Sequence, residues 1–419
     1  MKILYLRVLA LGMSLLLTLG LVSCNVSNGG GETEPDTTES LLITPPTEAP
    51  TEAPTEDPTE ESTEESKPDP VKHEIKNIII IIGDGMGIEH ISAGEMAYGK
   101  DYNFTNWQFT SSNTDSVNAS GYGPVLTDSA AGGTALATGY LTVNGYVGKD
   151  HTGKDVKTIL DYAREAGKST GVVTTDTIYG ATPGSFSGHS ISRGNTAEIV
   201  ASQLTSKVDL LCGANDSYVA SQKDAIERAN YFYCDNFADI EESYGENKVY
   251  WMFDLAGRSA TYHLSDVTPY ALEYLDDDPD GFVLMMEQAY IDKYSHSNDF
   301  DGMVKSMNDL NDTVEAILEW LGDRTDTAIL ITADHETGGV NVSAEKQLSY
   351  SYTANGNKVY YNFSSTGHTN SKVGVFVYGF EADFSKFDYY ESQHLIKNIN
   401  VFDQMLDLLQ NPDDYAWYS

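Results

Sequence analysis

The chain has 419 residues, of which 40% are hydrophobic and 21% are charged, and its formal net charge at neutral pH is −38. This length and apolar content allow one large α/β domain or two smaller ones, with a sizeable buried core. So large an acidic excess repels nucleic acid, anionic lipid and other polyanions, which argues against a nucleic-acid partner.

The first 24 residues are typical of an export signal. Lys2 and Arg7 precede an apolar run that ends in the sequence LVSC, whose last residue is Cys24. This ending resembles the lipobox of bacterial lipoproteins and predicts cleavage before Cys24 and attachment of a lipid to its thiol. An uncleaved membrane anchor and a cysteine placed by coincidence are the alternatives. We expect an exported protein that a lipid on Cys24 holds at the cell membrane, with its folded domain outside the cytoplasm.

Residues 25–70 are typical of a disordered tether. They are rich in Thr, Pro, Glu and Gly, include the repeat TEAPTEAPTEDP, and carry 13 acidic residues against one lysine. Such a segment buries too little apolar surface to offset the entropy that ordering it would cost, and its charges repel one another. The folded domain is therefore expected to occupy residues 71–419.

Short apolar runs alternate with helical patterns through this domain. The predicted strands are Asn77 to Ile82, Ser169 to Thr174, Val208 to Leu211, Lys248 to Phe253, Phe282 to Met286, Ala328 to Thr332 and Val373 to Tyr378. The predicted helices are Val156 to Ala166, Thr196 to Leu204, Asp216 to Arg228, Met303 to Leu321 and Ile396 to Leu409. Apolar runs suit strands that are covered on both faces, and the alternation favours right-handed crossovers. We predict an α/β fold with a doubly wound, mostly parallel sheet and helices on both faces.

Asp84 is the first candidate site residue, and it follows the first predicted strand between two glycines in the sequence GDGMG. Glu287 follows FVLMM, and Asp334 and His335 follow AILIT. Ligands of doubly wound sheets collect at the carboxyl ends of the strands, so we expect these four side chains to meet at one edge of the sheet.

Ser129 lies in the sequence TDSAAGGTALATG, at the start of an Ala- and Gly-rich helical stretch. At a helix N-terminus the backbone N–H groups and the helix dipole favour an alkoxide or a bound phosphate. Helix capping is the simpler explanation of an isolated serine there. The other motifs favour a nucleophile.

Two further motifs add metal-ligating side chains. Asp292 and His296 are four residues apart in EQAYIDKYSH, which places them on one face of a helical turn, and TGHTN supplies His368. Taken singly, a turn, an ion pair or a structural histidine explains each motif. Taken together, these carboxylates and imidazoles suit two zinc-like ions, and the oxygens of Glu287 suit a harder ion such as Mg²⁺.

In these motifs and in their order from about Asn77 to Gly379, the chain resembles the alkaline phosphatase family. The resemblance implies that Ser129 is the phosphorylated nucleophile and that Arg193 grips the phosphoryl group. It also implies two zinc ions and one magnesium ion. The implied ligands are Asp292, His296 and His368 for the first zinc, Asp84, Ser129, Asp334 and His335 for the second, and Asp84, Thr182 and Glu287 for magnesium.

The implied activity is hydrolysis of small phosphate monoesters through a phosphoserine, with release of inorganic phosphate. A phosphodiesterase of the same superfamily is the alternative, and a surface protein that binds metal or phosphate without turnover is a further one. Arg193, Thr182 and Glu287 favour the monoesterase. A homodimer, common in the family, remains open.

Two residues bear on the magnesium position. Gly180 stands where one bacterial branch of the family has an aspartate, whereas Lys293 agrees with that branch, so metal preference cannot be carried over. His189 is interpreted as structural. The segments Asp216 to Asp266 and Asn341 to Asn362 have no clear match to the family, and we hypothesise that they shape substrate preference.

Cys212 and Cys234 are the cysteines that follow Cys24. In an oxidising compartment they would close a loop of about 20 residues, which would contribute about 3 kcal/mol to stability. Two buried free thiols are the alternative, and the sequence leaves the pairing open.

Overall fold

A computed structural model of the chain describes residues 74–387 and 395–415. All of these residues belong to one unit of the chain, Lys67–Ser419. The predicted export signal, Cys24 and the predicted tether lie outside the described residues. No helix among the described residues is both long enough and apolar enough to cross a membrane.

The described part of the chain alternates strands and helices. The strands are β1 (Asn77–Gly83), β2 (Gln108–Asn113), β3 (Asp115–Ser116), β4 (Val125–Leu126), β5 (Ser169–Thr174), β6 (Leu210–Ala214), β7 (Phe232–Cys234), β8 (Val249–Phe253), β9 (Phe282–Gln288), β10 (Thr327–Thr332), β11 (Glu336–Thr337), β12 (Val340–Ser343), β13 (Tyr350–Ala354), β14 (Asn357–Phe363), β15 (His368–Thr369), β16 (Val373–Tyr378) and β17 (Leu395–Lys397). The helices are α1 (Ile88–Tyr98), α2 (Ser129–Thr138), α3 (Ile159–Glu165), α4 (Ala181–Ser187), α5 (Thr196–Ser206), α6 (Ser217–Ser221), α7 (Lys223–Arg228), α8 (Leu264–Leu275), α9 (Tyr290–His296), α10 (Phe300–Leu321) and α11 (Ile399–Gln410).

The central sheet has ten strands in the order β17-β2-β16-β10-β1-β9-β5-β6-β8-β7. β1 lies in the middle, where Ile80 pairs with Met285 of β9 and Leu330 of β10 in parallel register. Within this sheet, β16 alone runs antiparallel to its neighbours. The predicted doubly wound, mostly parallel sheet is confirmed.

The five isoleucines of β1 show why both faces of the sheet are covered. Side chains alternate across a strand, so Ile79 and Ile81 enter one core with residues of α1, α8 and α10. Ile78, Ile80 and Ile82 enter a second core on the opposite face with residues of α2, α3 and α11. An uninterrupted apolar run is what a doubly covered strand requires.

The seven predicted strands are present, whereas four predicted helices need correction. The helix predicted from Val156 begins at Ile159, and the helix predicted from Met303 begins at Phe300. The helix predicted from Asp216 to Arg228 is two short helices, α6 and α7, which meet at Gln222. The helix predicted from Ile396 begins only at Ile399, because Leu395–Lys397 pairs with β2 as β17. The sequence patterns did not predict α1, β2 or α8.

The two segments that we expect to shape substrate preference contribute different structures. Residues 216–266 include β7 and β8, which form one end of the central sheet. Residues 341–362 form most of a separate antiparallel sheet in the order β12-β14-β13, which packs on α1. A role for either segment in substrate preference stays a hypothesis.

Cys212 and Cys234 are buried free thiols. Cys212 on β6 and Cys234 on β7 both pair with Trp251 of β8, so β8 lies between them. Residues two strands apart are separated by about 10 Å. A disulfide requires Cα atoms within about 7 Å, so the strand order excludes the pairing.

Candidate active site

The carboxyl ends of β1, β9 and β10 bring the predicted acidic residues together. These strands are neighbours and run in parallel, so Asp84, Glu287 and Asp334 lie at the same edge of the sheet. All three side chains are buried. The structure thus confirms the placement that the strand-end motifs predict.

Ser129 is the first residue of α2, as predicted. Asp128 caps this helix, because its Oδ1 accepts hydrogen bonds from the N–H groups of Ala131 (3.0 Å) and Gly145 (3.1 Å). Ser129 Oγ lies 3.1 Å from Nε2 of His335. The serine hydroxyl therefore lies at a capped helix N-terminus and faces a histidine.

Asp84, Asp334 and His335 form an inner cluster. Nε2 of His335 lies 3.2 Å from Oδ2 of Asp334 and 3.5 Å from Oδ1 of Asp84. Among the described residues, neither of these two carboxylate oxygens has a hydrogen-bond partner. Buried polar atoms without a partner are costly, so the inner cluster needs either a cation or protons.

Asp292, His296 and His368 form an outer cluster. Nε2 of His296 lies 3.2 Å from Nε2 of His368 and 3.3 Å from Oδ1 of Asp292, and His368 Nε2 lies 3.7 Å from the same oxygen. Nδ1 of His296 lies 2.6 Å from the carbonyl oxygen of Thr366, and Nδ1 of His368 lies 2.8 Å from that of Thr127. A carbonyl oxygen only accepts, so each Nδ1 carries a proton, and in the neutral imidazole that binds a metal each Nε2 directs its lone pair into the cluster.

Both clusters fit a divalent metal ion. Ligand atoms that bind one tetrahedral zinc lie about 3.3 Å apart, which matches the separations within each cluster. Unpartnered carboxylate oxygens and imidazole lone pairs are also the donor types that zinc accepts. One ligand atom each from Asp292, His335 and His368 lies within 4.8 Å of the others, so the two clusters adjoin.

Glu287 and Thr182 supply oxygens at a third position. Thr174 Oγ1 donates a hydrogen bond to Glu287 Oε2. Thr182 Oγ1 is buried without a hydrogen bond of normal geometry among the described residues. Burial and the nearby charge of Asp176 raise the pKa of Glu287 to about 7, although Thr174 and Thr182 favour its charged form. An all-oxygen set of this kind suits Mg²⁺.

The electrostatics of the inner cluster follow from burial. Burial raises the pKa of Asp84 well above its ordinary value, and the charge of Asp334 raises it further. Burial and the charge of Asp292 do the same to the pKa of Asp334. Burial lowers the pKa of His335 well below its ordinary value, so its imidazole is neutral. A bound cation would reverse the preference of the carboxyl groups for their neutral forms.

Arg193 lies beside the serine. Its Nη1 is 3.3 Å from Oδ2 of Asp128, and 44% of its side chain is exposed. Burial lowers the pKa of Arg193, but the charges of Asp128 and Asp84 more than offset this, so the pKa is raised. Asp128 therefore caps the helix of Ser129 and also holds a guanidinium whose other nitrogens can reach a ligand.

Thr337 is a site residue that sequence reasoning missed. Its Oγ1 donates to Oδ1 of Asp292 (2.6 Å) and lies 3.2 Å from Nδ1 of His335. The hydroxyl proton goes to Asp292, so Thr337 accepts from Nδ1–H of His335, which leaves Nε2 of His335 unprotonated. The position of Thr337 inside the motif TADHETGG was the available signal.

Two other polar residues, His90 and Asp176, contact α9, the helix that carries Asp292 and His296. His90 is buried, accepts from the N–H of Gly87 (3.1 Å) and lies 3.1 Å from Ser295 Oγ. Asp176 pairs with Lys293. His189 lies with its Nε2 2.9 Å from the carbonyl oxygen of Val156, as a structural histidine does.

The sequence of the chain is similar to that of known proteins over most of the folded part. The family described as "Alkaline phosphatase" matches residues 75–219 and 247–404. These ranges include residues 341–362 and all of residues 216–266 except 220–246, so the expectation that both segments lack a family match is wrong outside residues 220–246. Alkaline phosphatase 4 of Bacillus subtilis is 33% identical over 309 residues, which are 67% of this chain and 65% of the relative. Alkaline phosphatase 3 of the same organism is 33% identical over 65% of this chain and 63% of the relative. The chain thus spans slightly less than two thirds of the length of these relatives.

A solved structure shows the same architecture. A mutant of TAB5 alkaline phosphatase with Mg bound in its M3 site superposes with a TM-score of 0.68 at 25% sequence identity. The superposition covers 83% of this chain and 100% of that chain.

Proposed function

The chain belongs to the alkaline phosphatase family, and on that premise we propose that it is a metal-dependent hydrolase of phosphate monoesters. Ser129 is the nucleophile, and inorganic phosphate is the product. One observation carries the proposal: Ser129 Oγ lies at the N-terminus of α2, 3.1 Å from Nε2 of His335. A serine that only capped a helix would have no need of the two adjoining ligand clusters.

Three metal ions complete this proposal. The outer cluster would hold one zinc, the inner cluster with Ser129 a second zinc, and Asp84, Thr182 and Glu287 a magnesium ion. The Mg named for the TAB5 mutant supports a magnesium position in a related structure. Bound metals would neutralise the phosphate dianion, lower the pKa of the Ser129 hydroxyl and stabilise the leaving alkoxide.

The chemistry proceeds in two displacements. Ser129 Oγ forms a bond to phosphorus while the bond from phosphorus to the ester oxygen breaks, and the alcohol leaves with the proton that the hydroxyl gives up. Water then attacks the phosphoserine from the opposite side, which restores Ser129 and releases phosphate. Arg193 and the N–H groups at the start of α2 that do not bond to Asp128 hold the non-bridging oxygens in both steps.

The place of action is part of the proposal. The LVSC ending at Cys24 supports export with a lipid anchor, which would keep the site outside the cytoplasm. Substrates would then be small phosphate monoesters that reach the cell surface.

The test is hydrolysis of p-nitrophenyl phosphate by the full chain loaded with zinc and magnesium. We expect turnover that chelation abolishes and that Ser129→Ala reduces by several orders of magnitude. Ser120→Ala, which changes an exposed serine, is the matched control and retains activity. Acid quenching during turnover traps phosphate on wild-type protein and not on Ser129→Ala.

Other outcomes identify the alternatives. Faster hydrolysis of bis(p-nitrophenyl) phosphate than of the monoester would establish a phosphodiesterase. A folded, metal-loaded protein without turnover would establish a binding protein. Full activity in Ser129→Ala would refute the serine nucleophile.

A further inference from the structure

Gly180 is the residue before α4, and a neighbouring side chain, not its backbone conformation, explains why it is a glycine. Its φ of −52° and ψ of 165° suit residues with side chains. A Cβ at this position, however, would lie 2.7 Å from Oδ2 of Asp176 and 3.0 Å from the carbonyl oxygen of Thr177. The carboxylate of Asp176 therefore occupies the space that a side chain at position 180 would need.

Asp176 is linked both to Lys293 and, through Thr174, to Glu287 of the third metal position. Its Oδ1 accepts from the N–H of Thr177 (2.7 Å) and from Nζ of Lys293. Its own N–H donates to Oγ1 of Thr174 (2.9 Å), and that hydroxyl donates to the carboxylate of Glu287. The acid at the end of β5 thus connects Glu287 on β9 with Lys293 on α9.

Lys293 has no other carboxylate partner in the described part of the chain. Its Nζ lies 4.6 Å from the ring centre of Tyr290 and pairs with Asp176. Side-chain exposures of 35% for the lysine and 26% for the aspartate leave this pair only partly hydrated. This charge pair joins the middle of α9, the helix that carries Asp292 and His296, to the loop after β5.

We propose that Asp176 is a positioning residue of the third metal position. It supplies from the loop after β5 the carboxylate that one branch of the family supplies at position 180, and Gly180 is the complementary change that makes room for it. The carboxylate of Asp176 orients Lys293, and its backbone N–H holds Thr174, whose hydroxyl donates to the carboxylate of Glu287. The inference rests on the proposed function, because it presumes that Glu287 and Thr182 bind a cation.

The test is calorimetric titration of Mg²⁺ into the zinc-loaded full chain. Asp176→Asn keeps the shape of the side chain and its bond to the N–H of Thr177, and removes only the charge. We expect its Mg²⁺ affinity to fall about 10- to 100-fold, the usual cost of losing a residue that orients metal ligands. Asp155→Asn, which breaks the surface pair with Lys149, is the matched control and retains wild-type affinity.

A double variant tests the exchange of position itself. Asp176→Ala with Gly180→Asp returns a carboxylate to the same space from the other backbone position, so we expect it to recover Mg²⁺ affinity. Gly180→Asp alone places two carboxylates in contact and lowers the melting temperature. Failure of the double variant to recover Mg²⁺ affinity would refute the proposal that a carboxylate at position 176 replaces one at position 180.

The remaining outcomes separate this inference from the proposed function. Wild-type Mg²⁺ affinity in Asp176→Asn would overturn the positioning role, while turnover that depends on Ser129 would still support the phosphatase. Absence of Mg²⁺ binding in the wild-type protein would overturn both the third metal position and the inference, without affecting the role of Ser129.

Discussion

The inner and outer clusters use the same donor types in opposite environments. Asp334 and His335 of the inner cluster have no exposed surface, whereas 40% of the His296 side chain in the outer cluster is exposed. The inner carboxylates retain oxygens without a hydrogen-bond partner among the described residues. The outer histidines are each fixed through Nδ1 by a backbone carbonyl.

Because of this difference in burial, the two clusters depend to different degrees on a bound cation. A buried carboxylate without a counter-charge is unstable, so the inner cluster depends on a cation or on protons to exist at all. Water can reach His296 of the outer cluster when no metal is bound. Changes in the inner cluster should therefore affect stability and activity together, and changes in the outer cluster should mainly affect how much metal is bound.

The largest expected difference is between Asp334→Asn and His296→Gln. Loss of an inner ligand removes several kcal/mol of charge stabilisation, so kcat/KM for p-nitrophenyl phosphate should fall at least about 10³-fold at every zinc concentration. Loss of an outer ligand should weaken zinc binding, so activity should return as zinc is raised. The measurement is kcat/KM across a zinc titration for both variants. Equal recovery of the two variants would refute the distinction between the clusters.

The second prediction concerns the effect of the buried Glu287 carboxyl group on the stability of the fold. The pKa of Glu287 is raised to about 7 in the folded protein, against an ordinary value of about 4.3. A carboxyl group with a raised folded pKa contributes stability that is present below its unfolded pKa and is lost as pH rises through the folded pKa. Without metal, wild type should therefore lose about 3 kcal/mol between about pH 4 and about pH 8 relative to Glu287→Gln, which cannot ionise.

Urea unfolding in chelator at both ends of this pH range measures the effect. With zinc and magnesium present, wild type should be more stable than Glu287→Gln, because the carboxylate of Glu287 then has a cation to bind. Glu319→Gln, which changes an exposed glutamate of α10, is the control. A difference between Glu287→Gln and wild type that does not vary with pH would contradict the prediction.

The sequence predicts the inner cluster better than the residues that support it. Asp84 and Asp334 each follow an apolar strand, and neighbouring parallel strands bring their carboxyl ends together by a general rule. Asp176 could not be found in this way, because its partner Lys293 is 117 residues away and their contact depends on tertiary structure. A local pattern carries no information about such a pair.

The sequence also does not reveal the lateral order of the strands in the sheet. The chain order of β6, β7 and β8 does not reveal that β8 lies between the other two. The sequence therefore left a bond between Cys212 and Cys234 open, and only the lateral arrangement of the strands excluded it. For the same reason β17 was predicted as helix, since its apolar residues fit either structure until pairing with β2 decides.

The smallest expected effect concerns Thr337, which contacts both clusters. Thr337→Val keeps the shape of the side chain but removes the hydrogen bond to Asp292 and the acceptor for Nδ1–H of His335. A hydrogen bond to a charged group contributes about 1.5–3 kcal/mol, so zinc affinity should fall about tenfold or more, as measured by competition with a chelating dye. Thr337→Ser retains the hydroxyl and should bind zinc as wild type does.

The order in which Thr337→Val loses its two zinc ions shows whether the two clusters bind zinc independently. The bond to Asp292 is the shorter, at 2.6 Å against 3.2 Å to His335, so the outer zinc should be released first. The inner zinc should be retained, because Asp84 and Asp334 still bind it with oxygens that have no alternative partner among the described residues. Simultaneous release of both ions from Thr337→Val would show that the two clusters bind metal as one unit, despite their different burial.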